Sequence, residues 1–380
     1  MKLKTMEKLE QLHELNIYNI IEAKKKNKKV VGMYCLYSPA EIAVAAGAIP
    51  VPLCGTKNDP IPAAEQVLPR NFCPLIKSSY GFAVTDTCPY FHVSDFLVAD
   101  TTCDGKKKMF ELLKKIKPLH VLQLPQNQDP GTALPYWHAQ VKKLKEIIEQ
   151  EFNVEITNMD LANAIRLMNR ERLALKNLQD VAKIKPSPVS GAQMLEILHK
   201  VGFFADKEEG IELIQEIVNE IRSKASQGDS PFTQNTPRIL LTGVPIGLGS
   251  DKAIKIIEKC GGNATVFENC SGYKKAFTVD EDKEPIMAIA EQYLQTPCSV
   301  MSPNKGRFEL ISRLTQEFSI DGVIDLTWQG CHTYNVEAYS IKQFVQETLQ
   351  LPYLQIETDY SESDVEQMKV RIEAFLEMIG

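Results

Sequence analysis

The chain has 380 residues, 44% hydrophobic and 24% charged, a globular composition that excludes a disordered or fibrous protein. Its 43 Lys and Arg against 49 Asp and Glu leave a formal charge of −6, which disfavours a nucleic-acid backbone as a partner. No run reaches the roughly 18 apolar residues of a membrane span. The N-terminus MKLKTMEKLEQLHELNIYNIIEAKKKNKK reads as a charged amphipathic helix without the apolar core of a signal peptide, so a cytoplasmic location is expected.

At about 100–200 residues per domain, two or three domains are expected. The first strand is KVVGMY, Lys29 to Tyr34, ending at Cys35. Ser38 is set to cap a helix with Pro39 at its first position and Glu41 in its first turn, and Gly47 stops it. AIPVPLC is a short strand ending at Cys54, and the proline-rich NDPIPAAEQVLPRNF reads as a loop over a short helix. CPLIKSSYGFAV is a helix opening at Cys73, and TDTCPYFH a turn around Cys88. DFLVADTTC is a strand ending at Cys103, GKKKMFELLKKIK a helix closed by Pro118, and HVLQLP a further strand. Strand, turn and helix in repetition predict a parallel sheet with crossover helices.

From about residue 135 to 225 apolar residues recur at helical spacing and no strand is legible. SKASQGDSPFTQNTP ends this helical block as a linker. The α/β rhythm returns with RILLTGVP, the glycine-rich turn and helix GLGSDKAIKIIEKCGG, and NATVFENC, a strand ending at Cys270. EPIMAIAEQYLQ is a helix, followed by a loop holding Cys298 and the helix KGRFELISRLTQEFS. DGVIDLTWQGC is a strand ending at Cys331, TYNVEAYSIKQFVQETL a helix, PYLQIETD a strand, and a last helix starts near Ser363. The expected fold is α/β: two flavodoxin- or Rossmann-like parallel-sheet lobes with a helical insertion between them. The expected divisions are 1–134, 135–236 and 237–380.

Nine cysteines, an odd number with no CxxC pair, make neither a disulfide framework nor a zinc ribbon. Each taken singly reads as a small buried apolar residue, and Cys260, late in a helix, is read that way. Position is what singles out the others. Cys35, Cys54, Cys103, Cys270 and Cys331 each follow a predicted strand, where open parallel sheets bind ligands. Cys73 and Cys103 also open helices, whose N–H groups favour a thiolate. Thiolates gathered in a cleft without zinc spacing point to an iron–sulfur cluster. GVPIGLGS resembles a phosphate-binding glycine loop but lacks both the GxGxxG register and a Walker lysine, so nucleotide binding is not expected there. His92 and His332 neighbour cysteine-bearing turns; His13, His120, His138 and His199 read as structural or surface residues.

The segments GMYCLYSPAEIAVAAGAIPVPLCGT, CPLIKSSYG, TTCDGKKKM, DGVID and QGCHTYNVE followed by PYLQIETDYS resemble the 2-hydroxyacyl-CoA dehydratase/benzoyl-CoA reductase superfamily. With TDTCPYF, FENC and TPCSV, the chain is similar to its double-cubane cluster protein branch from about residue 28 onward. The resemblance implies a [4Fe–4S]-type ligand trio at Cys73, Cys103 and Cys331. The double-cubane branch implies an [8Fe–9S] cluster needing three more thiolates, for which Cys35, Cys88 and Cys270 are chosen, with Cys298 in reserve and Cys54 behind it. Val244 stands where some near relatives are expected to carry cysteine. The resemblance further implies ATP-dependent, low-potential reduction of a small molecule, electrons from a separate ATP-hydrolysing iron–sulfur activator, and a homodimer. His92, His332 and Lys77 are the candidate proton donors, Lys77 equally a counter-charge, and Tyr34 and Gln329 candidate pocket residues. The alternatives are a subunit of a [4Fe–4S] (R)-2-hydroxyacyl-CoA dehydratase and a metal-free two-lobed binding protein.

Overall fold

The computed structural model describes residues 3–379. After α1 (Thr5–Lys25), the first lobe runs β1 (Val30–Met33), α2 (Ala40–Ala45), β2 (Ile49–Pro52), α3 (Ile61–Ala64), α4 (Pro74–Thr85), α5 (Pro89–Val93), β3 (Phe96–Asp100), α6 (Asp104–Leu113) and β4 (Leu119–Leu122). Four helices follow: α7 (Ala133–Phe152), α8 (Asn158–Asp180), α9 (Gly191–Val201) and α10 (Lys207–Ser226). The second lobe runs β5 (Arg238–Gly243), α11 (Lys252–Lys259), β6 (Asn263–Phe267), α12 (Pro285–Leu294), α13 (Lys305–Glu317), β7 (Gly322–Trp328), α14 (His332–Gln343), β8 (Tyr353–Thr358) and α15 (Val365–Ile379). Among the described residues no helix is long and apolar enough to cross a membrane.

Each lobe holds a four-stranded, all-parallel sheet, and the two orders correspond: β2-β1-β3-β4 and β6-β5-β7-β8. This is the flavodoxin-like order, in which the chain reverses direction beside the first strand and opens a crevice there. The central strands are buried along their whole length, because helices cover both sheet faces. Their sequences are therefore continuous apolar runs rather than alternating ones.

Local chemistry sets the helix ends. Gly47, at φ +72°, closes α2 by a Schellman pattern in which Ala48 N–H donates to Ala43 O at 2.9 Å. Thr157 and Asp160 form a reciprocal capping box at the start of α8. Two local expectations change. Ser38 does not cap α2: its hydroxyl donates back to Tyr34 O at 3.0 Å, and Pro39, still extended, becomes the cap. The turn around Cys88 is instead the short helix α5, with Cys88 as its cap.

The lobes interpenetrate. Val279, Ile286, Ile289 and Met301, which follow β6, pack into the outer core of the first lobe with Val31, Trp137 and Ile165. In the other direction α9 lies on β6 so closely that a Cβ at Gly191 would stand 2.4 Å from Ala264 O. Tyr360 OH donates to Gly55 O at 3.1 Å, and Thr56 Oγ1 donates to Leu248 O at 2.9 Å, across the cleft.

Candidate functional site

The carboxyl ends of both sheets open on one cavity of about 840 Å³ between the lobes. Seven of the nine cysteines line it: Cys35, Cys54, Cys73, Cys103, Cys270, Cys298 and Cys331. The correspondence of the lobes extends to them. Cys103 lies three residues beyond the end of β3 and caps α6; Cys331 lies three residues beyond the end of β7 and caps α14. Cys54 follows β2 as Cys270 follows β6, and Cys35 stands two residues beyond β1 where Pro245 stands two beyond β5.

The thiols fall into two groups by the charge each feels from the others. Cys73, Cys103 and Cys331 act on one another, and so do Cys35, Cys270 and Cys298. In the first group the Cys73 and Cys331 thiols face each other. Hydrogen bonding from Cys331, and the N–H groups that open α4, lower the Cys73 thiol; the same contact and burial hold Cys331 well up. Gly330 makes this meeting possible. It sits at φ +74°, and a Cβ there would stand 2.3 Å from Asn71 O, just before Cys73. In the second group burial pushes Cys270 up to about 12 and raises Cys35 and Cys298. Cys35 itself holds φ +79°, a left-handed backbone that few residues other than glycine adopt.

Cations surround the thiols. Lys106, in the first turn of α6, lines the cavity with no ion-pair partner among the described residues; nearby Cys35 and Asp100 raise it well above its ordinary value against desolvation. On the opposite wall Lys274 is buried and paired with Glu268 at 2.8 Å. Behind it Arg307 reaches Glu337 at 2.5 Å, Asp325 at 3.2 Å and Thr242 Oγ1 at 2.9 Å. A third buried pair joins three parts of the chain. Arg172 of α8 meets Glu41 of α2 at 2.5 Å, and Tyr293 OH of α12 donates to Glu41 at 2.7 Å.

Of the residues expected at the site, Cys73, Cys103, Cys331, Cys35, Cys270 and His332 line the cavity. Cys88, His92 and Lys77 do not. The Cys88 sulfur is turned into its own helix, accepting from Phe91 N–H at 3.5 Å, and the residue packs against the core. His92 is exposed and paired with Asp86 at 2.8 Å. Lys77 points off the far side of α4 to Glu65 at 2.9 Å and Arg70 O at 3.0 Å. Tyr34 is buried behind the wall and Gln329 is exposed outside it. Cys260 lies apart from the cavity, as the sequence indicates. Cys298, held in reserve from the sequence because it sits in a loop with no strand to mark it, lines the cavity. Sequence reasoning set aside His199, which α9 brings into the cavity wall.

The glycine loop after β5 is no phosphate cradle, since most of its N–H groups are taken. Val244 donates to Leu326 O at 3.0 Å, Ile246 to Ser271 Oγ at 2.9 Å, Gly247 to Ser250 Oγ at 3.0 Å and Gly249 to Asp251 at 3.3 Å. Its glycines serve close packing instead: a Cβ at Gly247 would meet Thr56 Cγ2 at 2.6 Å.

The donor set suits an iron–sulfur centre. It is made of thiols, mostly held protonated by burial, which surrender their protons to a bound positive centre. Thr102 Oγ1 lines the same wall, buried and without a hydrogen-bond partner among the described residues. Among those residues no three Cys, His, Asp or Glu side chains converge as ligands of a single ion, so no mononuclear site of the zinc type is preformed.

Comparison with known proteins agrees with this architecture. YjiM of Escherichia coli (strain K12), named as a dehydratase subunit, is 41% identical over 370 residues, covering 97% of this chain and 96% of that one. The (R)-phenyllactyl-CoA dehydratase beta subunit of Clostridium sporogenes is 24% identical over 368 residues, 95% of each chain. The lactoyl-CoA dehydratase subunit beta of Anaerotignum propionicum is 24% identical over 357 residues, 93% of this chain and 92% of that one. Residues 35–379, both lobes and the helices between them, match the family model of the 2-hydroxyglutaryl-CoA dehydratase D-component, and the chain belongs to that family, within the 2-hydroxyacyl-CoA dehydratase superfamily.

Proposed function

We propose that this chain is the cluster-bearing component of an ATP-dependent, low-potential reductase of small molecules, holding an [8Fe–9S] double-cubane cluster. The observation that carries the reading is the presence of seven thiols on one cavity, where a single [4Fe–4S] trio needs three. Cys73, Cys103 and Cys331 would hold one half, and Cys35, Cys270 and Cys298 the other, with Cys298 replacing Cys88. Cys54 is the seventh thiol on the wall. When bound, such a cluster supplies electrons at low potential. The chain's own residues exclude water and manage charge: Lys106 offsets thiolate charge, and His332, exposed at the first position of α14, carries protons to the cavity. The glycine loop holds no free N–H cradle, so ATP hydrolysis belongs to a separate iron–sulfur activator. A cytoplasmic homodimer completes the reading.

The names of the relatives favour a second reading, a subunit of a [4Fe–4S] 2-hydroxyacyl-CoA dehydratase. Iron and acid-labile sulfide per chain, measured on protein purified without oxygen, separate the two. About eight irons with about nine sulfides is the expected result, and about four of each turns the assignment to the dehydratase. Cys298→Ser is expected to lower the iron content and Cys88→Ser to leave it unchanged. Iron-free protein overturns both readings.

A further inference from the structure

On one side of the cavity α8, α9 and the turn after β6 meet, with Cys270 and Cys54 the nearest thiols to Lys275. Leu175, Leu195, Leu198, Phe203 and Phe277 make its wall apolar. The cations around it are nearly all neutralised. Lys207 pairs with Glu171 at 2.9 Å, Arg172 with Glu41 at 2.5 Å and Lys274 with Glu268 at 2.8 Å. Lys275 is the exception. It lines the cavity, is largely buried, and has no ion pair or side-chain hydrogen bond among the described residues. Adjacent in sequence, both lysines line the cavity, but Lys274 is committed to Glu268 and Lys275 is not.

A desolvated ammonium without a partner is unfavourable, and its burial accordingly lowers the Lys275 pKa. His199 stands on the same wall, edge-on to Phe203 at 5.2 Å. Burial and the nearby Lys275 charge lower it to about 4, so at neutral pH it is an uncharged imidazole with one N–H to donate.

We propose that this side of the cavity binds the oxyanion head, carboxylate or phosphate, of a ligand with a short apolar body, with Lys275 as the binding cation and His199 as a second donor. As an assignment of substrate class this rests on the function proposed above, but the binding itself depends on no cluster residue.

The test is calorimetric titration of the full-length, anaerobically purified protein with hexanoate, with its neutral analogue hexanamide, and with inorganic phosphate. A charge-assisted bond to a buried ammonium is expected to favour hexanoate over hexanamide by about tenfold or more. Lys275→Met is expected to abolish that preference and Lys275→Arg to retain it. Phosphate binding lost in Lys275→Met would identify a phosphate head; a Lys275-dependent preference for hexanoate without phosphate binding would identify a carboxylate. The proposal is overturned if the wild type binds neither anion preferentially. It is equally overturned if a folded Lys275→Met protein keeps the preference while its cluster midpoint potential shifts, which would make Lys275 a counter-charge to the thiolates. Iron-free wild-type protein that still prefers hexanoate would defeat the reductase reading and leave this binding site standing.

Discussion

The two lobes have the same strand order and matching cysteine turns after two of their strands, yet they treat the charge buried at the strand ends differently. In the second lobe Arg307, Lys274, Glu268, Asp325 and Glu337 form one network of ion pairs, although Arg307 Nε makes no hydrogen bond among the described residues. In the first lobe Asp100 ends β3 fully buried, with Thr102 N–H donating to it at 3.1 Å and one carboxylate oxygen unpartnered, while Lys106 faces the cavity unpaired. One lobe therefore works as a finished electrostatic scaffold. The other leaves charge open at the site, where a bound group completes it.

Breaking the finished network should have the largest effect. Arg307→Met leaves Asp325 and Glu337 without a cation and Glu268 with Lys274 alone, and is expected to cost about 3–5 kcal/mol in urea denaturation. A loss below about 1 kcal/mol would show that the network is no scaffold. Next comes the junction between lobes. Gly330→Ala forces a side chain into φ +74° against Asn71 O and is expected to cost roughly 2–3 kcal/mol. It should also lower iron content, because Cys73 and Cys331 are pushed apart; unchanged iron would break that link.

Acid sharpens the comparison further. Burial lowers His199 and His120 to about 4, below the unfolded value near 6.5, so the unfolded chain binds more protons between those values. Stability is therefore whole above about pH 6.5 and falls as the pH drops toward 4. Discounted for partial exposure, each imidazole should account for about 1–2 kcal/mol, and His120→Gln should flatten its share of the pH profile.

The smallest effect belongs to the open charge of the first lobe. Burial raises Asp100 above its ordinary value, so its ionisation opposes folding and stability falls as pH rises from the unfolded carboxyl value to the folded one. Asp100→Asn should thus leave stability at pH 7 within about 1 kcal/mol of wild type, or above it. A loss as large as that of Arg307→Met would erase the distinction between the lobes.

Much of the fold was legible in the chain. Seven of the eight strands lie within the apolar runs read as strands, and β4 starts one residue before its run, because the sheets are buried on both faces and Gly, Pro and capping residues punctuate them. Of the site, the cysteines that follow strands could be read, since a parallel sheet fixes where those turns point. Cys88 misled because it too opens a helix, but α5 is a short element whose cap faces inward. Cys298 had no local mark, and it joins the cavity wall only where the loop after α12 folds back toward Cys35 and Cys270.

The sequence by itself determined two parallel-sheet lobes, the helices between them and thiols at the strand ends. Period, turn chemistry and strand-end position are local properties, written within a few residues of each feature. Only the tertiary structure decided which thiols share a wall, that His332 reaches the cavity while His92 and Lys77 do not, and that Lys275 is left without a partner beside His199. Those outcomes depend on distances between elements far apart along the chain, set by the packing of one lobe against the other, and residue spacing carries no record of them.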